Sequence, residues 1–230
     1  LIFDNAGFLF RGLLNTFQLA VLTLLFATLI SVLVGLMAVA RQRAWRILAL
    51  CYVEFFRDIP LIVNLLFVYF GAPLLGVPLS PFMAALVGLT LWGGANGAEI
   101  VRGGVNAVPR HQTASATALG LKPWEIMWFI VGPQALLPIL PSFAGLFTLL
   151  VQATSLASLV GVTEFLRVNQ IVVERTTMQL GESPAFLVYG FTLIVYFMVC
   201  SVLTWGTRRL ERRLGQVARR SATKLTEQSV

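Results

Sequence analysis

The sequence GGVNAVPRHQTASATALGLKPWEIMWFIVGP, residues Gly103 to Pro133, decides how the rest of the chain is organised. It is the long, partly polar interruption in the middle of an apolar sequence, and we call it the central loop. Its charged or titratable residues are Arg110, His111, Lys122 and Glu125. Because long apolar segments lie on both sides, we expect the central loop to lie outside a membrane that the rest of the chain crosses. Other proteins could contact it there.

Within the central loop, the sequence predicts two short helices joined by a turn. Gln112 to Leu119 is rich in alanine and threonine and can form the first helix. Gly120 suits the left-handed position that often follows a helix, and Pro123 fits the first position of the next helix. The second helix, Trp124 to Val131, is aromatic and apolar, so we expect it to pack back on the membrane-embedded helices. A helix–turn–helix that projects from a membrane interface is suited to docking a partner.

The composition predicts an all-α polytopic membrane protein. Of the 230 residues, 57% are hydrophobic and 12% are charged, and the mean hydropathy is +0.83. A soluble domain would carry roughly 25% charged residues. The formal net charge is +7, and residues 216–230 are expected to form a basic cytoplasmic tail that flanks the membrane rather than a nucleic-acid-binding element. The two cysteines, Cys51 and Cys200, have no CxxC spacing, so we expect buried thiols.

Uncharged runs divide a transmembrane domain, residues 1–215, into five predicted crossings. Gly12 to Ala40 carries no charge and is long enough for a hydrocarbon core of ~30 Å. Ile59 to Ala98 is also uncharged but too long for one crossing, and GAPLLGVPLSP at 71–81 breaks it. The third helix is rich in glycine, which permits close packing, and residues 161–183 are predicted to be a mixed loop. The helices are predicted at about residues 12–40, 50–71, 82–102, 134–160 and 184–207, with the central loop at 103–133.

Basic residues predict the orientation of these five helices. One side of the membrane carries an excess of positive charge, whereas the other has Arg11, an uncharged turn and a balanced loop. The positive-inside rule makes the basic side cytoplasmic. We therefore expect the N-terminus outside, the C-terminus inside and the central loop in the cytoplasm. The basic residues on the cytoplasmic side are Arg41, Arg43, Arg46, Arg102, Arg110, Lys122, Arg208, Arg209, Arg212 and Arg213.

The central loop resembles the signature loop of the ABC importer permeases. That signature is E-A-A, three residues, Gly, nine residues, Ile, one residue and Leu-Pro, and the spacing is matched by Ala114 to Ala116, Gly120 and Ile130 to Pro133. Four further segments are similar to the polar amino acid branch, the histidine, glutamine and glutamate type: FRDIPLIVNLLFVYFGAP, IVRGGVNAVPRHQ, PQALLPILPSF and TSLASLVGVTEF. The resemblance covers about residues 8 to 215. It implies a type I importer permease with a five-helix core, two such subunits forming the pore.

The resemblance implies an ATP-driven importer of polar amino acids in a bacterial inner membrane. An extracytoplasmic amino-acid-binding protein would deliver the substrate. Two partner ATPase subunits would bind ATP and Mg and push on the loops of two permease subunits, so that the helices alternate between outward-facing and inward-facing states in the lipid. The residues that would couple this chain to the ATPase are Ala114, Ser115, Ala116, Gly120, Lys122, Ile130 and Pro133.

Signatures of an enzyme are missing from the sequence. It has neither a GxxxxGK[ST] pattern nor an HExxH pattern, and its single histidine, His111, lies in the central loop. We therefore expect no catalytic residue, no metal site and no cofactor in this chain, with ATP hydrolysis in a partner.

Several residues depart from the family pattern. Ala114 stands where the family has glutamate, Ser115 replaces its second alanine, and Gly132 replaces the leucine before the proline. Asp58 replaces a usual glycine, and Gln152 replaces a frequent basic residue. The missing glutamate leaves two interpretations open. Either this subunit forms a heterodimer with a different permease that keeps the standard loop, or shape complementarity alone carries docking and a homodimer can form.

Polar groups in the apolar helices are candidates for a substrate pathway. Each has a structural alternative: Asn64 and Asn96 could bridge helices, and Glu99 could form an ion pair with Arg102. Serines and threonines could bond to their own helix or offer hydrogen bonds from an unwound segment. Glu164 could attract an amino group, which slightly favours a cationic substrate, or be solvated near the outer interface. The candidates are Asn64, Asn96, Glu99, Gln152, Thr154, Ser155, Ser158 and Glu164.

Two other classes of protein are alternatives to the importer. A secondary transporter or channel that works without an ATPase would favour an inverted repeat and charged groups at mid-bilayer, and neither is evident in the sequence. A membrane scaffold would need neither the spacing from Ala114 to Pro133 nor the polar residues of the fourth helix.

Overall fold

The computed structural model describes the backbone of residues 1–227 and the side chains of residues 1–209. This part of the chain is all-helical, as predicted. The side chains of the predicted basic tail at 216–230 lie outside the described residues. The helices are α1 Ala6–Ala38, α2 Arg43–Asp58, α3 Leu61–Leu74, α4 Pro81–Asn106, α5 Arg110–Ala118, α6 Pro123–Glu125, a π-helix Ile126–Val131, α7 Gly132–Ala153, a 3-10 helix Thr154–Val160, α8 Phe165–Leu180 and α9 Ala185–Glu227.

Three continuous helical stretches of the described chain are long and apolar enough to cross a membrane: Ala6–Ala38, Pro123–Val160 and Ala185–Arg209. A fourth crossing results if α2 and α3 are taken together, because they meet at a bend of 102°. Helix α4 has 26 residues, but glycines together with Asn96 and Glu99 dilute its apolar character. The count of five crossings therefore stays a prediction.

Helix α4 lies at the centre of the fold and packs against α1, α2, α3 and α7. Small residues allow this packing, as the glycine content predicted. A Cβ added at Gly94 would lie 2.6 Å from Ile30 Cγ2 of α1, and one at Gly35 would lie 2.5 Å from Val101 Cβ of α4. The hydroxyl of Ser31 donates across this contact to the carbonyl of Gly94 at 3.2 Å. Close approach of α1 and α4 thus requires glycine on both helices.

The structure divides the helix predicted at 50–71 into α2 and α3. Pro60 disfavours helical backbone at Ile59, which is extended. The amide of Asn64 donates to the carbonyl of Phe56 at 3.2 Å and to that of Ile59 at 3.5 Å, so it binds the backbone that the bend frees. Most of α2 is exposed, including Cys51, which corrects the prediction of a buried thiol there.

Helix α8 occupies most of the segment predicted to be a mixed loop at 161–183. It begins after its N-cap residue Glu164 and ends at Gly181, whose φ is 74°. Its apolar face packs Phe165 and Val168 against Leu9 of α1 and Val188 of α9. The sequence prediction was wrong here because the helix carries charges on one face only, and a count of charges along the chain misses that pattern.

Candidate functional site

The turn of the central loop has the predicted geometry. Gly120 has a φ of 82°, in the left-handed region that favours glycine. The amide of Leu121 donates to the carbonyl of Ala116 at 3.2 Å, and that of Gly120 donates to Thr117 at 3.0 Å, which together close the end of α5. Ala116 is buried, whereas Ala114 and Ser115 are exposed. The matched alanine thus anchors α5, and its two neighbours face solvent.

The second half of the central loop is only partly the helix that was predicted. Helix α6 is a single turn, capped where the carboxylate of Glu125 accepts from the amide of Lys122 at 2.6 Å. The π-helix Ile126–Val131 then leads directly into α7. Its end residues, Ile126 and Val131, are buried against Ala116. The expected packing is only partly present, because Met127 and Ile130 also pack against this cluster whereas Trp124, Trp128 and Phe129 are exposed.

Gly132, one of the departures from the family pattern, has a physical role at the end of the π-helix. Its amide donates to the carbonyl of Met127, five residues earlier. A Cβ at this position would lie 2.8 Å from the same carbonyl oxygen. Glycine therefore permits the wider turn, which leucine would obstruct.

A polar contact fixes the central loop to the membrane helices. The amide of Gln134 in α7 donates to the carbonyl of Ile130 at 2.8 Å and to the side chain of Gln112 in α5. Neither glutamine was singled out from the sequence, because residues 22 apart give no local signal of pairing. Of the other predicted coupling residues, Lys122 and Pro133 are exposed and Ile130 is half-buried.

The polar residues after α7 lie in the 3-10 helix Thr154–Val160 rather than in the unwound segment that was one alternative for a substrate pathway. The hydroxyls of Thr154 and Ser155 donate to carbonyls in the last turn of α7 at 2.7 and 2.8 Å, and that of Ser158 donates to the carbonyl of Ser155 at 2.7 Å. This is the alternative in which such residues bond to their own helix. Thr154 and Ser158 are also buried.

Gln152 and Ser155 come together at an open cavity of about 560 Å³ between the end of α7, α8 and α9. Tyr189, Thr192 and Tyr196 of α9 line it too, and among the residues whose side chains are described none that lines it is charged. The structure does not bring the remaining candidates to this cavity. The residues of α9 were not predicted from the sequence. Their hydroxyl groups occur about once per turn in an otherwise apolar helix, and such a pattern does not stand out as a polar site.

The other candidates have local structural partners. The amide of Asn96 donates to the carbonyl of Trp92 at 2.9 Å, in its own helix. The carboxylate of Glu99 accepts from Arg102 Nε at 2.8 Å and lies 4.0 Å from the guanidinium of Arg57 at the end of α2. Asn64 binds the bend between α2 and α3. The ion pair between Glu99 and Arg102, which was the structural alternative to a pathway role, is thus present. Arg57 of α2 adds a second basic group to it.

Glu164 is fully buried, which corrects the alternative in which its carboxylate is solvated near the outer interface. It accepts from the amides of Leu166 at 2.9 Å and Arg167 at 2.8 Å, which are free donors in the first turn of α8. It also accepts from the hydroxyl of Tyr196 in α9 at 3.0 Å, and lies 3.5 Å from the hydroxyl of Thr16 in α1. We call this set the Glu164 network; it joins α1, α8 and α9.

Burial sets the acidity of this carboxyl. Loss of hydration raises the pKa of Glu164 above its ordinary value, and the hydrogen bonds from the amides of Leu166 and Arg167 and from the hydroxyls of Tyr196 and Thr16 oppose the rise only in part. Thr16 in turn accepts from the amide of Phe165 at 3.0 Å. With its acceptor sites filled by the protein, the carboxylate caps a helix and holds three helices together.

Curated proteins similar to this chain are transport permeases. The probable amino-acid ABC transporter permease protein YckA of Bacillus subtilis (strain 168) is 29% identical over 213 residues, which covers 93% of this chain and 92% of that protein. The glutamine transport system permease protein GlnP of Escherichia coli (strain K12) is 32% identical over 168 residues, covering 72% of this chain and 74% of that protein.

Solved structures give the same result for the fold. An amino acid ABC transporter determined with histidines superposes with a TM-score of 0.84 at 26% identity and covers 92% of this chain and 96% of its own. The inward-facing MetNI methionine ABC transporter superposes with a TM-score of 0.73 at 21% identity, covering 92% and 98%. The type I ABC importer fold expected from the resemblance is confirmed.

The match to a defined family is extensive. Residues 27–216 match the family described as the inner membrane component of binding-protein-dependent transport systems. This range includes the central loop, the 3-10 helix Thr154–Val160 and the Glu164 carboxylate. Its members are transporter permeases rather than enzymes. This chain therefore belongs to the family of inner membrane components of binding-protein-dependent transport systems.

Proposed function

We propose that this chain is the transmembrane permease subunit of an ATP-driven importer that moves amino acids into the cell by alternating access. The printed names of the relatives, an amino-acid permease and a glutamine permease, support the class of substrate. Two ATPase subunits, which bind ATP and Mg, a second permease subunit and an extracytoplasmic binding protein complete the transporter. The chain lies in a bacterial inner membrane with its N-terminus outside and its C-terminus and central loop in the cytoplasm.

One observation carries the coupling role of the central loop. Helix α5 and its turn present exposed residues to solvent, while Ala116 and the Gln112–Gln134 contact fix them to α7. A movement of α5 is therefore transmitted to the membrane-spanning helix α7 through packed side chains and a hydrogen bond, and not through a flexible loop. The exposed surface at Ala114 and Ser115 is uncharged, so docking rests on shape, or on a second and different permease that supplies the missing glutamate.

The uncharged cavity at Gln152 and Ser155 restricts the class of amino acid that this chain could accept. Because Glu164 is buried and bonded within the protein, it offers no negative charge to a cationic side chain. The preference for a cationic substrate therefore loses its support. Hydroxyl, amide and aromatic groups line the cavity, and they suit an uncharged polar amino acid on a pathway that passes Gln152, Ser155 and Tyr196.

Substitution at Gly120 tests the coupling role in the complete reconstituted transporter. Proline cannot adopt the positive φ, so Gly120→Pro should break the turn. Uptake should fall by more than about tenfold, because the ~1–2 kcal/mol that other residues pay in the left-handed region is only a lower bound for proline. The ATPase should stop responding to loaded binding protein, whereas the subunit should still insert in the membrane.

Two matched variants control this experiment. Gly120→Asn should retain most activity, because asparagine tolerates the left-handed region. Gly103→Ala, in α4 with open space around its Cβ position, should behave like the unmodified protein. Normal uptake and normal ATPase stimulation in Gly120→Pro would contradict the proposal.

A further inference from the structure

A single tyrosine connects the Glu164 network to the open cavity at Gln152 and Ser155, which we call the α7–α9 cavity. Tyr196 lines this cavity, and its hydroxyl donates to the Glu164 carboxylate at 3.0 Å. Leu166, in the first turn of the helix that Glu164 caps, lines the cavity as well. The buried carboxylate therefore lies one hydrogen bond away from a side chain that a molecule in the cavity would contact.

The hydrogen bond to Glu164 decides which chemical role Tyr196 can play in the cavity. A phenol hydroxyl has one proton and an ionised carboxylate has none, so the tyrosine is the donor between them. Hydrogen bonds with a charged acceptor are also among the stronger ones in proteins. Because its proton is committed to Glu164, the Tyr196 oxygen can only accept a hydrogen bond from a molecule in the cavity.

Two other hydroxyls of the α7–α9 cavity have the same polarity. Thr192 donates to the carbonyl of Val188 at 2.8 Å, and Ser155 donates to the carbonyl of Gln152 at 2.8 Å. Both keep lone pairs that can accept from a ligand. Thr192 and Tyr196 are four residues apart, so they lie on the same face of α9. Three hydroxyl oxygens that line this cavity are thus acceptors.

This set of acceptors fits the amino group of an amino acid better than its carboxylate. At neutral pH the amino group is an ammonium with three N–H donors, whereas the carboxylate has no proton to donate. A carboxylate beside Tyr196 would meet lone pairs rather than protons, which is unfavourable in a site that is partly withdrawn from water. The amino group is therefore the part of an amino acid that turns towards Tyr196.

We propose that the Tyr196 hydroxyl accepts from the amino group of the transported amino acid, and that Glu164 is the positioning residue that holds the tyrosine in this role. The inference rests on the proposed function, because it takes the α7–α9 cavity as part of the substrate pathway. It adds the orientation of the substrate and the group that the cavity selects. Glu164 itself does not contact the substrate, since protein groups occupy its acceptor sites.

The free thiol of Cys200, which lines the α7–α9 cavity, reports whether the cavity is occupied. The complete purified transporter would be labelled with N-ethylmaleimide at about pH 8, above the ordinary pKa of a glutamate. The adduct on Cys200 would be measured by mass spectrometry, with Cys51 on α2, outside the cavity, as the internal reference. Glutamine should slow the labelling of Cys200. Glutaramate, which is glutamine without its amino group, should need an at least about tenfold higher concentration for the same protection.

Substitutions then test the two residues. Tyr196→Phe removes only the oxygen, so it should reduce the difference between the two ligands to less than about threefold. Glu164→Ala should do the same, whereas Glu164→Gln keeps a carbonyl oxygen as acceptor and should restore most of the difference. Tyr69→Phe, in α3 and outside the cavity, is the matched control and should leave the difference unchanged. A merely structural role of Tyr196 or Glu164 would weaken protection by both ligands equally.

Three outcomes of the labelling experiment would overturn the inference: no protection of Cys200 by glutamine, equal protection by the two ligands, or an unchanged difference in Tyr196→Phe. ATP-driven uptake with loaded binding protein would be measured in parallel. Uptake of glutamine without protection of Cys200 would overturn the inference and leave the proposed function standing. Absence of ATP-driven uptake for every amino acid tested would overturn the proposed function itself.

Discussion

The central loop and the Glu164 network are both built around a carboxylate that caps a helix, but they lie in opposite environments. Glu125 accepts from the amide of Lys122 on the exposed surface of the loop. Glu164 accepts from two amides of α8 and from Tyr196, with no exposed surface of its own. The same chemical group therefore adjusts one turn locally in the loop, whereas in the network it holds three helices. The difference lies in the number of donors left unpaired when the carboxylate is removed.

The largest expected effect follows removal of the buried carboxylate. Glu164→Ala leaves buried donors of α8 and Tyr196 without an acceptor, and it should lower the free energy of unfolding by roughly 2–4 kcal/mol. The thermal midpoint of the purified subunit in detergent should fall by roughly 5–15 °C. An unchanged midpoint would show that water or lipid can replace the carboxylate. It would contradict the conclusion that Glu164 contributes more to stability than Glu125.

A smaller change in the thermal midpoint is expected from a change in pH. Its direction shows whether burial or hydrogen bonding dominates the pKa of Glu164. Because the folded pKa of Glu164 lies above the unfolded value of ~4.3, its contribution to stability is complete below that value and is lost as pH rises through the folded pKa. The midpoint of the unmodified protein relative to Glu164→Gln should therefore fall as the pH rises from about 4.3 through the folded pKa. A relative midpoint that rises with pH would mean that the hydrogen bonds outweigh burial.

The smallest effect belongs to the exposed cap. Glu125→Ala removes one acceptor that water can replace, so it should cost less than about 1 kcal/mol. The same thermal measurement should show a shift near its detection limit. If this variant proved as damaging as Glu164→Ala, the loop would depend on its cap far more than its exposure implies.

The sequence was sufficient to predict structure wherever that structure depends on residues close together in the chain. Uncharged runs predicted the apolar helices, and the spacing around Gly120 predicted a left-handed turn that its φ of 82° confirms. The docking role of this turn and the substrate pathway stay predictions. Gly132 was noted as a departure, but its reason, the contact with the carbonyl of Met127, required the backbone path.

Long-range contacts could not be predicted. Thr16 and Glu164 are separated by 148 residues, and a carboxylate between a polar segment and a charged helix gives no sign that it is buried. Helix α8 was missed for a related reason, since its apolar face becomes informative only once α1 and α9 are placed beside it. Burial of polar residues depends on the tertiary structure rather than on the residues near them in sequence.

The bend of 102° between α2 and α3 has a mechanical consequence. If α3 stands along the membrane normal, α2 lies nearly flat at the surface, where Trp45 and Leu48 are exposed. Asn64 stiffens this corner, and the pair of Arg57 and Glu99 joins its end to α4. We therefore expect a tilt of α4 to be transmitted through this corner to α2, which would change how deeply α2 lies in the headgroup region.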